Sequence, residues 1–278
     1  MAYKDLLVHV DDSRACERRV RAAVELAITH EAHLTGLCIV GDPPPETLER
    51  GILPPEMREM LQGARERADA ALARFTEVAK RNQISFESRV DRVQYTAMVE
   101  ALATNARYAD IVILGQADPD EGSVPLYLPE EVTLASGRPS LVIPHNGPAA
   151  TLGQRVTLAW DASREAARAI NDALPILQRA QAVSVVIVDR SDQSSGQGEQ
   201  RRAEIARHLA RHGIEAEVHQ LESGDLSVPE VILSHIAAQS SDLLVMGAYG
   251  HSRLRELVLG GVTRAMLQDM TVPVLMAH

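Results

Sequence analysis

A fully apolar run, Leu243-Leu244-Val245-Met246, ends in Gly247 and continues into Ala248-Tyr249-Gly250; ten residues on stand Gly260-Gly261-Val262-Thr263. Glycines at a strand exit let the chain turn tightly and let a ligand approach the backbone. A glycine pair that opens a helix offers free N–H groups and the positive end of the helix dipole. Together they can wrap a phosphate, and Thr263 adds a hydroxyl. A second group, Ala159-Trp160-Asp161-Ala162-Ser163, also follows an apolar run. Its carboxylate can accept from a ribose hydroxyl or help hold a phosphate-bound metal. The same residues also have plainer uses: glycines serve turns, Asp and Ser cap helices, and tryptophan fills cores. His251, Arg253 and Arg255, between the glycines, suit phosphates, a partner or solvent. His208 and His212 lie four apart on a helix, but no third ligand accompanies them, so no metal site is expected. No G-x-S-x-G, H-E-x-x-H or Cys–His signature is present, and covalent catalysis has no candidate. A P-loop is excluded, because no lysine follows Lys80.

The elements that position these groups occur twice. Leu6-Leu-Val-His-Val-Asp11-Asp-Ser13-Arg14 parallels Val156-Thr-Leu-Ala-Trp-Asp161-Ala-Ser163-Arg164. Ala109-Asp110-Ile-Val-Ile-Leu-Gly115 parallels Ser241-Asp242-Leu-Leu-Val-Met-Gly247, and Gly137-Arg-Pro139-Ser-Leu-Val-Ile143 parallels Met270-Thr-Val-Pro273-Val-Leu-Met276. Three landmarks in one order indicate a duplication. The spacing is longer in the first half, which places an insertion at the Pro-rich stretch from Gly41 to Glu56; its counterpart is the polar loop Ser191–Gly198. A turn-rich linker, Pro144 to Gly153, joins domains assigned to residues 1–146 and 153–278. In the second half the pattern predicts strands near 155–160, 183–188, 214–220, 242–246 and 272–276. Helices are predicted near 164–179, 199–212, 227–239 and 261–268. The first half matches, with a long helix near 56–81. This is an α/β class: two repeated doubly wound domains, each a five-stranded parallel sheet of order 3-2-1-4-5 flanked by helices. Ligands of such folds sit where the strand order reverses, between the exits of the first and fourth strands. Asp161 and Gly247 stand at those exits.

Composition narrows the partners. The 278 residues are 45% hydrophobic, enough for two cores, and the net charge of −10 argues against nucleic-acid binding. No apolar run reaches the ~18 residues of a membrane span, and the N-terminus lacks a signal-peptide pattern, so a cytoplasmic protein is expected. Cys16 and Cys38 are expected to be buried thiols.

The spacing Gly247-x2-Gly250-x9-Gly260, the Asp161-Ala162-Ser163 exit and the terminal Val272-Pro273-Val274-Leu275 resemble the universal stress protein family. The resemblance covers the whole chain as a tandem two-domain member. It implies ATP, or ADP or AMP, in the second domain, with Mg2+ as a possible companion. Ala159, Trp160, Asp161 and Val188 would then surround adenine and ribose. Met246, Gly247, Tyr249, Gly250, Gly260, Gly261, Val262 and Thr263 would surround ribose and phosphates. Gly261 departs from the family pattern, which usually has Ser or Thr there; a lost hydrogen bond to a charged group costs roughly 1.5–3 kcal/mol. The first domain departs further, with Gly115-Gln-Ala-Asp118 and Leu128-Pro-Glu-Glu131 in place of the glycines. It is expected to bind no nucleotide, which leaves Asp11 a structural role. The expected function is a stress or signalling regulator, at most a slow ATPase because no general base is evident, with an unidentified protein partner. The alternative is an interaction scaffold in which both sites are degenerate. A third possibility, an ATP-dependent transferase, would show further catalytic side chains, and none stands out. The resemblance also implies an internal pseudo-dimer, and a homodimer as a further option, through the final strands near 139–143 and 271–276.

Overall fold

A computed structural model describes residues 2–43, 54–118, 120, 127–147, 151–189, 197–250 and 261–278. They form two compact units, Ala2–His145 and Asn146–His278. In the first unit the order is β1 (Asp5–His9), α1 (Cys16–His30), β2 (His33–Asp42), α2 (Pro55–Arg81) and β3 (Phe86–Gln94). It continues through a short 3-10 turn (Tyr95–Ala97) to α3 (Met98–Ala106), β4 (Ile111–Gly115), α4 (Leu128–Ser136) and β5 (Ser140–Ile143). The sheet runs β3-β2-β1-β4-β5, all parallel. The second unit repeats it: β6 (Arg155–Ala159), α5 (Arg164–Leu177), β7 (Ala182–Asp189), α6 (Gln197–Arg211) and β8 (Ala216–Glu222). Then come α7 (Val228–Gln239), β9 (Leu243–Gly247), α8 (Val262–Asp269) and β10 (Val274–Ala277). Its order is β8-β7-β6-β9-β10, again parallel. Each sheet therefore has the expected 3-2-1-4-5 arrangement. Among the described residues, no helix is long and apolar enough to cross a membrane.

The fourth strands, β4 and β9, are apolar throughout because helices cover both faces. Ile111 to Leu114 and Leu243 to Val245 are fully buried, whereas the edge strands β3 and β8 alternate towards solvent. Close packing explains single glycines. A Cβ on Gly36 in β2 would lie 2.5 Å from the ring of Phe75, which α2 lays directly on the strand.

Some boundaries differ from the sequence expectation, each for a local reason. Helix α2 has 27 residues, close to the 56–81 expected, and α6 has 15, so the extra length of the first unit goes partly into helix and not only into the Pro-rich stretch. Pro54-Pro55 starts α2, one residue before the expected 56, since a first-turn proline lacks only an N–H that has no helical partner. The rest of the Pro-rich stretch, 44–53, lies outside the described residues. Strand β8 begins at Ala216 rather than at 214, because Gly213 at φ 75° closes α6 and Ile214 N donates back to Leu209 O. Strand β10 begins at Val274 because Pro273 has no N–H for the ladder; its carbonyl still accepts from Leu244 N at 2.9 Å.

The matched aspartates of the duplication do the same task. Asp110 Oδ2 accepts from Lys4 N at 2.6 Å and Asp5 N at 3.2 Å. Asp242 accepts from Gln154 N at 3.0 Å, Arg155 N at 2.9 Å and the Thr151 hydroxyl at 2.8 Å. Each ties the entrance of the fourth strand to that of the first and so fixes their register.

The first unit also buries charge. Arg19, 1% exposed, donates from Nε to His9 O at 2.6 Å and pairs with Asp11 Oδ2 at 2.8 Å. Burial pushes the Asp11 carboxyl up, but Arg19, His9 and the hydrogen bonds from Ser13 outweigh it and hold it at about 2. Burial lowers His9 to about 4, with Arg19 adding to the effect and Asp11 opposing it. Cys16 and Cys38 are free and buried, and burial pushes the Cys38 thiol up to about 12.

Two outcomes follow. Asp242→Ala removes a charged acceptor of three hydrogen bonds and should lower stability by at least ~2 kcal/mol in urea unfolding. His9 is neutral in the folded state and takes up a proton on unfolding below its ordinary value of 6.5. The stability it protects is therefore complete above pH 6.5 and falls as the pH drops towards about 4. Between those limits His9→Gln should remove about 3 kcal/mol of acid sensitivity, read as the difference between the two proteins' urea midpoints at each pH.

Candidate functional site

Strand β6 pairs with β9, with Leu158 opposite Val245, so their exits lie side by side at the reversal of strand order. Trp160 N donates to Val186 O at 2.9 Å, the last bond before the chain leaves the sheet. Asp161 follows in a tight turn: its Oδ1 accepts from Ser163 N at 2.9 Å, and Ala162 takes φ 62°. Ser163 caps α5 by accepting from Ala166 N at 3.1 Å. Asp161 is exposed and makes no ion pair among the described residues.

The fourth strand arrives from the other side. A Cβ on Gly247 would lie 2.5 Å from Ala166 N and 2.8 Å from Glu165 C, so only glycine lets β9 press against the first turn of α5. Tyr249 takes φ 58°, and its N–H donates to the Thr263 hydroxyl at 3.2 Å. That bond ties the turn after β9 to the first turn of α8. Gly250 then comes over Ser163 and Glu165; a Cβ there would stand 3.3 Å from Glu165 Oε2 and 3.5 Å from Ser163 Cβ. Gly261 is the N-cap residue of α8, with no side chain capping it. Its φ of −62° and ψ of 141° are open to any residue.

The structure thus brings Asp161, Gly247, Tyr249, Gly250 and Thr263 around the start of α5. Ala159 ends β6 and Met246 lies buried in β9; Val188 is half-buried near the end of β7, and Gly261 and Val262 open α8. Trp160 lines a groove between α5 and α6 with Ile170 and Ile205. Gly260, His251, Arg253 and Arg255 lie outside the described residues.

Two side chains were missed by sequence reasoning. Glu165, 2% exposed, pairs with Arg164 and puts a carboxylate beneath the Gly250 turn. Its signal is an acid in the first turn of a Ser-capped helix, which suits the dipole. His278 places Nδ1 3.0 Å from Ala248 O, at the same turn.

The matching region of the first unit is differently filled. In the alignment that pairs Asp11 with Asp161, Arg19 faces Ala169. The guanidinium takes the space beside the fourth strand; a Cβ on Gly115 would lie 2.1 Å from Arg19 Nη1. Asp11 is thereby paired internally. Thr133, the counterpart of Thr263, donates to Pro129 O of its own helix at 2.7 Å instead of holding a turn. Glu130 and Glu131 occupy the first turn of α4, where an anion would otherwise be favoured.

Comparison with known proteins places this geometry. The model of the universal stress protein family matches residues 2–121 and 153–278. A universal stress protein of Archaeoglobus fulgidus superposes with a TM-score of 0.74 at 16% identity, over 98% of this chain and 95% of that one. A protein of unknown function from Pseudomonas aeruginosa superposes with a TM-score of 0.64 at 17% identity, over 99% and 92%. A universal stress protein of Synechocystis is 46% identical over 46 residues, 16% of each chain. Two matched domains in sequence, and a fold shared over nearly the whole length, make this chain a tandem two-domain member of the universal stress protein family.

Proposed function

We propose that the second unit binds ATP or a related adenine nucleotide, ADP or AMP, and that the protein acts as a regulator whose contacts follow nucleotide occupancy. One observation carries this reading. A carboxylate without an internal cation, Asp161, stands at the same strand-order reversal as a glycine turn held to the start of a helix, while the first unit fills the corresponding space with Arg19.

The residues fit the ligand. Ribose hydroxyls donate well to a carboxylate, and Asp161 keeps Oδ2 for that use. Gly250 leaves room over Ser163 and Glu165 that a side chain would take. The uncapped N–H groups of α8 offer the phosphates donors and a favourable dipole. Mg2+, where it accompanies a triphosphate, needs only one or two protein carboxylates and would draw on Asp161. The Glu165 charge opposes a polyphosphate, and its pairing with Arg164 moderates that opposition. The reading includes at most slow hydrolysis, because the sequence offers no evident general base.

Titration of the nucleotide-free protein with ATP, ADP and AMP should give one site per chain; no binding at millimolar nucleotide overturns the proposal. Gly250→Asp, which copies Asp118 of the first unit, should abolish binding without unfolding the chain. Gly261→Ser fits the backbone as it stands and restores a hydroxyl; affinity should rise about ten-fold. The aspartates should separate in calorimetry. Asp161→Ala should weaken nucleotide binding with a stability change near ~1 kcal/mol, the scale of one local hydrogen bond. Asp11→Ala strands Arg19 and should cost about 3–5 kcal/mol in stability.

A further inference from the structure

The two units differ again on the helical face that carries their first two helices. In the first unit α1 and α2 pack directly on one another. In the second, α5 and α6 leave a groove of about 660 Å3 between them, within the size range of small-molecule sites. Its floor is apolar: Ile170 is 2% exposed and Ile205 is 4% exposed, with Ala167 beside them. Trp160 closes the end next to the strand exits.

The opposite end is cationic. Gln200, Glu204, His208 and Arg211 recur at helical spacing along the groove side of α6. From Gln200 to Arg211 the helix rises about 16 Å. Arg211 is exposed and has no ion-pair partner among the described residues. The intervening Glu204 is already answered by Arg207 at 2.8 Å. The free charge of the groove is thus positive and lies far from its tryptophan. That polarity selects an elongated molecule with an apolar body and an anionic head.

We propose that the groove between α5 and α6, which borders the exit turn of β6 at Trp160 and Ala162 and runs away from it along the helices, is a second ligand site for an amphipathic carboxylate of fatty-acid type. The tail lies on Ile170, Ile205 and Ala167 towards Trp160, and the carboxylate meets Arg211. This assignment does not depend on nucleotide binding.

Trp160 is the only tryptophan of the chain and reports directly on the groove. The full-length protein is titrated with sodium dodecanoate below its micelle concentration while the indole emission is followed. A saturable one-to-one response is expected. Dodecyltrimethylammonium, with the same tail and opposite charge, should bind at least ten-fold more weakly. Arg211→Ala, at an exposed position, should erase that preference. Ala167→Met, which fills the floor, should weaken dodecanoate at least ten-fold with Arg211 intact; circular dichroism confirms that both variants fold. No saturable response, an equal response to both surfactants, or an undiminished preference in Arg211→Ala overturns the proposal. Displacement of dodecanoate by ATP overturns it too, since the tail would then occupy the crevice.

Discussion

In each unit the exits of the first and fourth strands lie together because their entrances are tied. Asp110 and Asp242 grip the backbone N–H groups that begin β1 and β6. A parallel ladder transmits that register along its length, so the far ends emerge at matched heights. Everything at the site depends on this: a carboxylate on one exit can meet a glycine turn on the other only if neither strand slips. The groups that fix the exits therefore sit at the opposite end of the sheet from them.

A carboxylate placed in such a crevice has to be compensated, because burying a lone charge is expensive. The first unit compensates from within: Arg19 reaches from α1 and closes the crevice around Asp11. In the second unit Ala169 stands where Arg19 would be, and Asp161 stays exposed to solvent. The remaining differences agree with this division. Thr263 holds a turn, whereas Thr133 bonds its own helix; α8 begins with an uncapped glycine, whereas α4 begins with acids.

The sheet order, the repeat and the pairing of the strands that lead to Asp161 and Gly247 were legible because each rests on short patterns: an apolar run, its exit residues and their recurrence. The length of α2 was legible too, since its apolar period continues from residue 56 to 81. That this length accounts for part of the insertion was not, because prolines read as loop whether they break a helix or begin one. Arg19 was invisible for a different reason. It is one arginine among several in α1, and nothing local distinguishes the one whose side chain turns inward. Glu165 was hidden in the same way: its place beneath Gly250 is set by a contact between segments far apart in sequence. Trp160 was legible as a site residue, but its flank on the groove between α5 and α6 depends on how far those helices stand apart, which no pattern in either helix records.

The buried pair in the first unit also bears on how the two halves of a duplicated gene diverge. Once Arg19 sits against Asp11, neither residue can change alone without leaving an unpaired charge in the core. Opening that crevice would require Arg19, Asp118 and the acidic start of α4 to change, and a first step at Arg19 passes through an unstable protein. The second unit has no such lock, since Asp161 is exposed and makes no ion pair among the described residues. Substitutions at Asp161 can therefore be taken singly, while the first half is held in its closed form by its own stability. The two copies thus differ in what one substitution can do: in the first it strands a buried charge, and in the second it does not.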